Sequence, residues 1–465
     1  YSEKCPFSSI ADIQGKNVTI MGLGLNGGGE AAVRFFLKHG ANVLVTDMKS
    51  KEQLKSTIDK LENDKTINHK NLSYRLGEHR LQDFENADCV IKNPGVKYEG
   101  NKFLAAAKSI ETDLSIFLRF TKCPIIAVTG SKGKSSTVSA IYYGLSQAGF
   151  KCFLGGNITV SPLSFFDEVN ETTPVVIEFS SWQLSDLRGR KLLKPYISLI
   201  TKIVPDHQNW YGNMENYVAD KKLIYADQDE NDYSIFDSDE WGDVFSEESK
   251  AKIIRYGKNS NKIDLGELLV PGAHMQTNAQ NAAIVMQIMG VKEDKIKTIL
   301  QNWTGIDHRL QYFHSWKNKN NTNIKFYNDS ASTVPESTAA ATQAFEKSII
   351  LITGGTDKGL DMSPLANTLS STSSQIHKVK KLFLLQGTAT EKLLPILNKN
   401  GLEYQGPYES LQVLFNSLKN YLEEINNESK NDEIVVFSPG ATSFGMFNNE
   451  FDRGDKFMKG IRELF

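Results

Sequence analysis

A glycine-rich turn between an apolar strand and a helical pattern constrains the fold of this chain more than any other feature. The strand covers residues 124–128, the turn covers residues 129–137 (TGSKGKSST), and the helical pattern covers residues 138–148. Backbone N–H groups at such a helix start attract oxyanions, the lysine reaches the outer phosphates, and a serine hydroxyl helps to hold Mg²⁺. The pattern therefore predicts a nucleoside triphosphate site built from Gly130, Ser131, Lys132, Gly133, Lys134, Ser135 and Ser136.

Another glycine-rich turn, GLGLNG at residues 22–27, lies earlier in the chain, follows a predicted strand at 18–21 and opens a helix, and Asp47 ends the next predicted strand. Taken alone, this arrangement is typical of a dinucleotide site and favours an NAD-dependent oxidoreductase as one hypothesis. That hypothesis leaves the turn at residues 129–137 unexplained. An ATP-dependent enzyme whose substrate carries a nucleoside diphosphate, such as a UDP-sugar, accounts for both turns.

Composition argues against several classes of partner. The chain carries 53 basic and 55 acidic side chains, and a net charge of −2 provides no general attraction to nucleic acid or to an anionic membrane. No apolar run approaches the roughly 18 residues of a membrane-spanning helix, and the first residues lack a signal-peptide pattern. Four scattered cysteines without CxxC spacing favour reduced thiols. We therefore expect a soluble, cytoplasmic protein, acting as a monomer.

Predicted strands alternate with helical patterns in three series, which begin near residues 18, 124 and 324. Such alternation is typical of α/β folds with parallel sheets. A chain of 465 residues is also long enough for about three ordinary domains. We therefore predict an α/β fold of three domains, with boundaries at residues 1–111, 112–304 and 305–465.

Three further residues in the middle of the chain are candidates for metal and phosphate chemistry. Glu178 ends an apolar strand, and His207 follows the next strand, at positions where ligand sites gather in α/β sheets. Both could bind a divalent cation that bridges ATP phosphates. Lys221 lies in a helical pattern (YVADKKLIY, residues 217–225), where it is either a solvated lysine or a buried, reactive one.

The order of motifs along nearly the whole chain resembles that of the Mur ligases. The motifs are GLGLNGGG (22–29), NPGV (93–96), TGSKGKSST (129–137), GGNI (155–158), EFSSWQL (178–184), DH (206–207), YVADKKLIY (217–225), HMQTN (274–278), GIDHR (305–309), NDS (328–330), GGTDKG (354–359) and SPGATSFGMF (438–447).

This resemblance implies a Rossmann-like N-terminal domain that binds the UDP-sugar, a P-loop ATPase-like central domain, and a Rossmann-like C-terminal domain that binds an amino acid. It also implies a reaction in peptidoglycan precursor synthesis. ATP phosphorylates the carboxylate of UDP-N-acetylmuramoyl-L-alanine (UDP-MurNAc-L-alanine), and the amine of D-glutamate attacks the acyl phosphate. A sister enzyme adding another amino acid and a catalytically idle nucleotide-binding protein remain alternatives.

The resemblance also assigns residues to sites. It implies Lys134, His207 and Lys221 as catalytic residues, with Lys221 carbamylated, and Ser135, Glu178, His207 and Lys221 as the Mg²⁺ site. It adds Asn278, Arg309 and Asp329 as ATP contacts, and Leu25, Asn26, Asp47, Gly95, Asn157 and Ser181 as UDP-sugar contacts. Amino-acid contacts are expected at Thr333, Lys358 and Ser443. Here the chain departs from the family, with Ala331 in place of a lysine and Glu450 in place of an aromatic residue.

Overall fold

The computed structural model describes residues 5–25, 27–258, 260, 262–370, 379–426 and 432–465. Its strands form three sheets. The chain divides into two compact units, Tyr1–Ile263 with Gln280–Ile296, and Asp264–Ala279 with Lys297–Phe465. The first unit contains two of the sheets and the second unit contains the third. The predicted α/β class with three sheets is confirmed, whereas the boundaries at residues 111 and 304 stay predictions.

The first sheet is fully parallel with strand order β3-β2-β1-β4-β5. Its central strands are largely apolar and buried because a parallel sheet is covered on both faces, whereas the edge strand at residues 72–76 is partly exposed. The strands are β1 (Asn17–Met21), β2 (Asn42–Asp47), β3 (Leu72–Leu76), β4 (Cys89–Lys92) and β5 (Ile110–Glu111). The helices are α1 (Gly28–Lys38), α2 (Lys55–Glu62), α3 (Leu81–Glu85), α4 (Lys102–Ala105) and α5 (Asp113–Phe120).

The second sheet is also parallel, with β6 at its centre between β9 and β8. Its strands are β6 (Ile125–Thr129), β7 (Phe153–Gly156), β8 (Val175–Glu178), β9 (Ile197–Ile200), β10 (Tyr233–Asp237) and β11 (Lys252–Tyr256). The helices in this part of the chain are α6 (Lys134–Ala148), α7 (Ser181–Asp186), α8 (Gln208–Tyr211), α9 (Met214–Lys222), α10 (Glu240–Glu248), α11 (Ala273–Ile288) and α12 (Glu293–Gln301).

The third sheet has order β12-β13-β17-β14-β15-β16, and only the edge pair of β12 and β13 is antiparallel. Its strands are β12 (Gln311–Lys317), β13 (Asn323–Asn328), β14 (Ile349–Gly354), β15 (Val379–Leu385), β16 (Gln405–Tyr408) and β17 (Glu433–Phe437). Its helices are α13 (Pro335–Gln343), α14 (Ser363–Ser370), α15 (Thr388–Lys399), α16 (Leu411–Glu424) and α17 (Glu450–Leu464).

The carboxyl ends of the parallel strands position the predicted motifs. The first glycine-rich turn in chain order (residues 22–27) follows β1, the second (residues 129–137) follows β6, and Glu178 is the last residue of β8. Among the residues described, we find no helix with the length and hydropathy needed to cross a membrane. All four cysteines are free thiols.

Candidate phosphoryl-transfer site

The turn between β6 and α6 has the backbone geometry of a phosphate cradle. Gly130 has φ +142°, and a Cβ there would lie 2.0 Å from Thr201 Oγ1, so only glycine fits. Gly133 has φ +91° and directly precedes Lys134, the first residue of α6. The first N–H groups of a helix have no partner within the helix and attract oxyanions. The turn can therefore accept phosphate at the start of a long helix.

Ser131 fixes this turn to the chain that follows β9. Its hydroxyl donates to Val204 O at 2.9 Å and accepts from the Tyr217 hydroxyl at 3.0 Å. Its backbone N–H donates to Lys202 O at 2.9 Å. Both groups are therefore engaged within the protein. The predicted ATP contact of Ser131 stays a prediction, and the structure gives Ser131 a role in holding the loop.

The other predicted phosphate contacts surround the start of α6. Lys132 is exposed, with its Nζ 3.8 Å from Asp206 Oδ2, while Ser135 and Ser136 are partly buried in the first helical turn. Their contacts with ATP, and that of Ser135 with a metal, stay predictions.

Two lysines converge on one carbonyl oxygen of the turn. Lys134 Nζ donates to Gly130 O at 3.0 Å and to Ser131 O at 3.1 Å, and Lys221 Nζ donates to the same Gly130 O at 2.8 Å. The Lys221 side chain is 2% exposed, and burial, followed by the charge of Lys134, lowers the pKa of Lys221 to about 7. Burial also lowers the pKa of Lys134. Near pH 7, Lys221 is therefore substantially a neutral, nucleophilic amine.

Glu178 supplies a buried carboxylate with one oxygen left over. Its Oε1 accepts a hydrogen bond from Asn157 Nδ2 at 2.9 Å, whereas its Oε2 has no partner among the described residues. A buried polar atom without a partner is costly, and a cation would satisfy it. In the described part of the chain, no group of three or more His, Cys, Asp or Glu side chains could hold a metal by itself. This donor set fits Mg²⁺, which keeps waters and takes substrate phosphate oxygens.

His207 lies close to this region on a left-handed backbone, with φ +51°. Its ring centre is 5.1 Å from that of Trp182 and 6.3 Å from that of Tyr217. Its Nε2 lies 4.0 Å from Asp206 Oδ2. Tyr217 also holds Ser131, so His207 and the phosphate turn share a neighbour. The catalytic and metal-binding roles of His207 stay predictions.

The first glycine-rich turn is organised by Asp47. Its Oδ2 accepts the backbone N–H groups of Leu23 and Gly24 at 2.9 and 3.2 Å, and its Oδ1 accepts that of Lys49 at 2.9 Å. Asp47 therefore shapes the turn that would receive a diphosphate, while its direct contact with the UDP-sugar stays a prediction. Leu25, within the turn, is 54% exposed, and Asn26 lies outside the described residues.

The remaining UDP-sugar candidates lie in the same compact unit. The exposed Gly95 donates its N–H to Asn93 Oδ1 at 3.1 Å, and Ser181 is buried at the start of α7. Asn157 follows β7 and is bound to Glu178 through both its side chain and its backbone N–H. This pairing connects a predicted sugar contact with the predicted metal ligand.

The second unit contains the other candidates. Lys358 Nζ lies 3.4 Å from Thr333 Oγ1, which brings together two predicted amino-acid contacts. The segments that contain Lys358 and Ser443 are joined by a backbone hydrogen bond of 2.9 Å from Thr442 N to Thr356 O. Asn278 is buried on α11, and Arg309 is exposed next to Leu310, whose N–H donates to Asp329 Oδ1 at 3.0 Å. All six contacts of this unit with ATP or the amino acid stay predictions.

Asp329 provides a test of the electrostatics of the second unit. Burial raises its pKa to about 6, although its Oδ2 accepts hydrogen bonds from Ser332 and Ser438 at 2.6 Å. A carboxyl whose pKa is raised on folding stabilises the protein at low pH and loses that effect as the pH rises through about 6.

We expect this loss of stabilisation by Asp329 to reach about 2 kcal/mol in the free energy of unfolding between pH 4.5 and 7.5. Asp329→Asn should remove it, and urea unfolding of both proteins at the two pH values measures the difference. Parallel pH dependence of the two proteins would contradict the buried, raised carboxyl.

Comparison with known proteins decides the family. A family model described as "Mur ligase middle domain" matches residues 128–300, and one described as "Mur ligase MurD-like, N-terminal domain" matches residues 16–112. A protein of Borreliella afzelii (strain PKo), named UDP-N-acetylmuramoylalanine–D-glutamate ligase, is 39% identical and aligns over 98% of this chain and 99% of its own length. The chain belongs to the Mur ligase family. A protein of the same name from Treponema pallidum (strain Nichols) is 37% identical, over 97% of this chain and 98% of its own.

Solved structures agree with this Mur ligase fold. UDP-N-acetylmuramate-alanine ligase MurC from Thermotoga maritima superposes with a TM-score of 0.54 at 18% identity, covering 96% of this chain and 99% of that one. MurF from Acinetobacter baumannii gives a TM-score of 0.52 at 17% identity, with 74% and 77% covered. The resemblance inferred from the motif order is therefore confirmed at the level of family and fold.

The sequence motifs missed several residues of this Mur ligase that shape the site. Tyr217 and Thr201 pack against the phosphate turn, and the buried Lys92 pairs with Asp186. For Lys92 a signal was available, because a lysine ends the otherwise apolar β4 (CVIK). The contacts of Tyr217 and Thr201 join segments far apart in sequence, and no local pattern marks them.

Proposed function

We propose that this Mur ligase is an ATP-dependent amide-bond ligase that adds D-glutamate to UDP-MurNAc-L-alanine in peptidoglycan precursor synthesis. The observation that carries the proposal is the pair of lysines on Gly130 O, in the same compact unit as a buried carboxylate with a spare oxygen. Phosphoryl transfer needs positioned, charge-neutralising groups of this kind more than covalent help. The names of the relatives support the choice of substrates.

In the proposed reaction, the carboxylate of UDP-MurNAc-L-alanine attacks the γ-phosphorus of ATP, and ADP leaves. The amine of D-glutamate then attacks the acyl carbon, an amide forms, and phosphate departs. Lys134 neutralises charge on the transferred phosphoryl group, and the N–H groups at the start of α6 hold the phosphates. Bound Mg²⁺ would supply further charge neutralisation, with Glu178, His207, Ser135 and carbamylated Lys221 as the proposed ligands.

A UDP-sugar is the diphosphate-bearing substrate that we assign to the first glycine-rich turn. Asp47 fixes the N–H groups of Leu23 and Gly24 in this turn, and the turn leads directly into α1. A diphosphate bound there gains from the helix N-terminus, and the exposed Leu25 offers an apolar surface to a flat base. The same turn would also suit NAD, so the functional assay must also test whether the protein reduces NAD.

The choice of amino acid depends on how the second unit receives two carboxylates. Ala331 stands where the family has a lysine, so Lys358, held beside Thr333, is the proposed cation for D-glutamate.

Losing a charged hydrogen bond costs about 1.5–3 kcal/mol, and Lys358→Ala should therefore raise the KM for D-glutamate about tenfold or more. Lys319→Ala is the matched control, because Lys319 is an exposed lysine of the same unit that pairs with Glu424. Equal KM values in both variants and the wild type would exclude this role of Lys358.

A phosphate-release assay tests the proposed function. The protein receives ATP, Mg²⁺ and UDP-MurNAc-L-alanine, and the amino acid is varied among D-Glu, L-Glu, L-Lys, meso-diaminopimelate and D-Ala-D-Ala. We expect phosphate release that requires both the UDP-sugar and D-Glu. Preference for another amino acid would favour the sister ligase, and ADP release without any amino acid would favour an idle nucleotide-binding protein. Reduction of added NAD would favour the oxidoreductase.

The magnesium ion, the carbamate on Lys221, the cytoplasmic location and the monomeric state stay proposals. For the first two, the support is the spare oxygen of Glu178 and the lowered pKa of Lys221.

A further inference from the structure

Lys92 is a buried lysine with three polar partners. It is the last residue of β4, and its side chain is 3% exposed. Its Nζ donates to Val96 O at 3.0 Å and to Asn93 O at 3.3 Å, and it lies 2.8 Å from Asp186 Oδ2. A single ammonium group therefore joins both ends of the turn at residues 93–96 to the last residue of α7.

Stability alone is a poor explanation for this arrangement. Moving two charges out of water costs about as much as their attraction returns, and well-packed apolar residues in their place often give an equally stable protein. The side chain of Asp186 is only 8% exposed, and burial raises its pKa while the charge of Lys92 opposes that rise. A buried ion pair of this kind is better suited to fixing a geometry.

The two segments that Lys92 joins both carry predicted UDP-sugar contacts. The turn contains Gly95, whose N–H is held by Asn93 Oδ1, and α7 begins at the buried Ser181. A cavity of about 490 Å³ lies between these segments, and Lys92, Val96, Trp182 and Asp186 contribute to its wall. A shift of the turn relative to α7 would change the position of both contacts and the shape of this cavity.

We propose that Lys92 is a positioning residue for the UDP-sugar substrate, which sets the 93–96 turn against α7 through its contacts with the two carbonyl oxygens and Asp186. The inference rests on the proposed function, because it names what holds the sugar-binding segments of that same enzyme in place. Lys92 takes no part in the transfer of the phosphoryl group.

Lys92→Met tests this role, because methionine fills a similar space without a charge or a donor. We expect the KM for UDP-MurNAc-L-alanine to rise about tenfold, since two hydrogen bonds and an ion pair are lost from the turn. The KM for ATP should stay within about twofold, because Lys92 contacts the 93–96 turn and Asp186. Isothermal titration of UDP-MurNAc-L-alanine, without ATP, should give a matching loss of affinity.

Two further variants separate positioning from stability. Lys92→Met leaves the buried Asp186 without its ion-pair partner, so we add the double variant Lys92→Met/Asp186→Leu, which removes both charges of the pair and should recover the unfolding temperature. Its KM for the UDP-sugar should stay raised, because the turn still lacks its donors. The control is Arg255→Met, which removes a partly buried arginine that pairs with Asp243 and donates to Asp237 O at the edge strand β11 of the same unit. That variant should lower stability while leaving the KM for the UDP-sugar near the wild-type value.

The outcomes are distinct. If the folded double variant binds UDP-MurNAc-L-alanine within twofold of the wild type, Lys92 is only structural and the inference is overturned. A proportional change of kcat and of both KM values in every variant would overturn it as well. Wild-type protein that binds the UDP-sugar but makes no product overturns the proposed function alone. Wild-type protein that does not bind the UDP-sugar overturns both.

Discussion

Replacement of Lys221 by alanine is expected to lower turnover by at least about 10³-fold, the upper range for loss of one preorganised group. Lys221 Nζ lies 2.8 Å from Gly130 O in the phosphate turn, and its pKa of about 7 leaves much of it as the neutral amine that can add CO₂. The resulting carbamate would be an anion beside the phosphate site. A small carboxylate such as acetate should therefore restore part of the activity of Lys221→Ala.

The pH dependence of wild-type activity follows from the amine of Lys221. Below about pH 7 the amine is protonated and cannot add CO₂, so activity should rise with pH through this range and with added bicarbonate. Lys222→Ala is the matched control, because its side chain pairs with Glu248, away from the phosphate turn. Rescue of Lys221→Ala by methylamine, with none by acetate, would identify Lys221 as a cation and contradict the carbamate.

Replacement of Lys134 by alanine is expected to lower kcat by about 10²- to 10³-fold. Its Nζ lies over the turn, 3.0 Å from Gly130 O and 3.1 Å from Ser131 O, at the N-terminus of α6. Charge builds up on the transferred phosphoryl group in the transition state, so the loss should fall mainly on kcat. Steady-state kinetics with ATP as the varied substrate measures the change.

The control for Lys134→Ala is Lys151→Ala, which removes a lysine that lies over the Phe153 ring, beyond the other end of α6. Its kinetics should match those of the wild type. Turnover of Lys134→Ala within a factor of about three of the wild type would rule out Lys134 as the main neutralising cation.

Local sequence patterns predict the two glycine-rich turns and the strands that precede them. A turn such as residues 129–137 depends on glycines and a lysine within a few positions, and Gly130 and Gly133 adopt the positive φ angles that those glycines allow. The short apolar strands before both glycine-rich turns were predicted for the same reason. The partly exposed edge strand β12 was missed, because its residues (QYFHSWK) form neither a continuous apolar run nor a strict alternation of apolar and polar side chains.

Contacts between distant segments could not be predicted. The hydrogen bond from Lys221 to Gly130 spans 91 positions, and the pair of Lys92 and Asp186 depends on the packing of β4 near α7. From the sequence, Lys221 could be either a solvated or a buried lysine, and the structure shows that it is buried. Asp47 is a predicted UDP-sugar contact, and its role in holding the turn was not predicted. Its carboxylate accepts hydrogen bonds from the N–H groups of Leu23 and Gly24.

The transfer of ¹⁸O from substrate to phosphate tests the acyl-phosphate ligase most directly. UDP-MurNAc-L-alanine labelled with ¹⁸O in its carboxylate is converted with ATP and D-glutamate, and the released phosphate is analysed by mass spectrometry. The proposed reaction places one ¹⁸O atom in each phosphate, because the oxygen that attacks the γ-phosphorus leaves with it, and the other stays in the amide. Phosphate without ¹⁸O, released alongside amide product, would contradict the account.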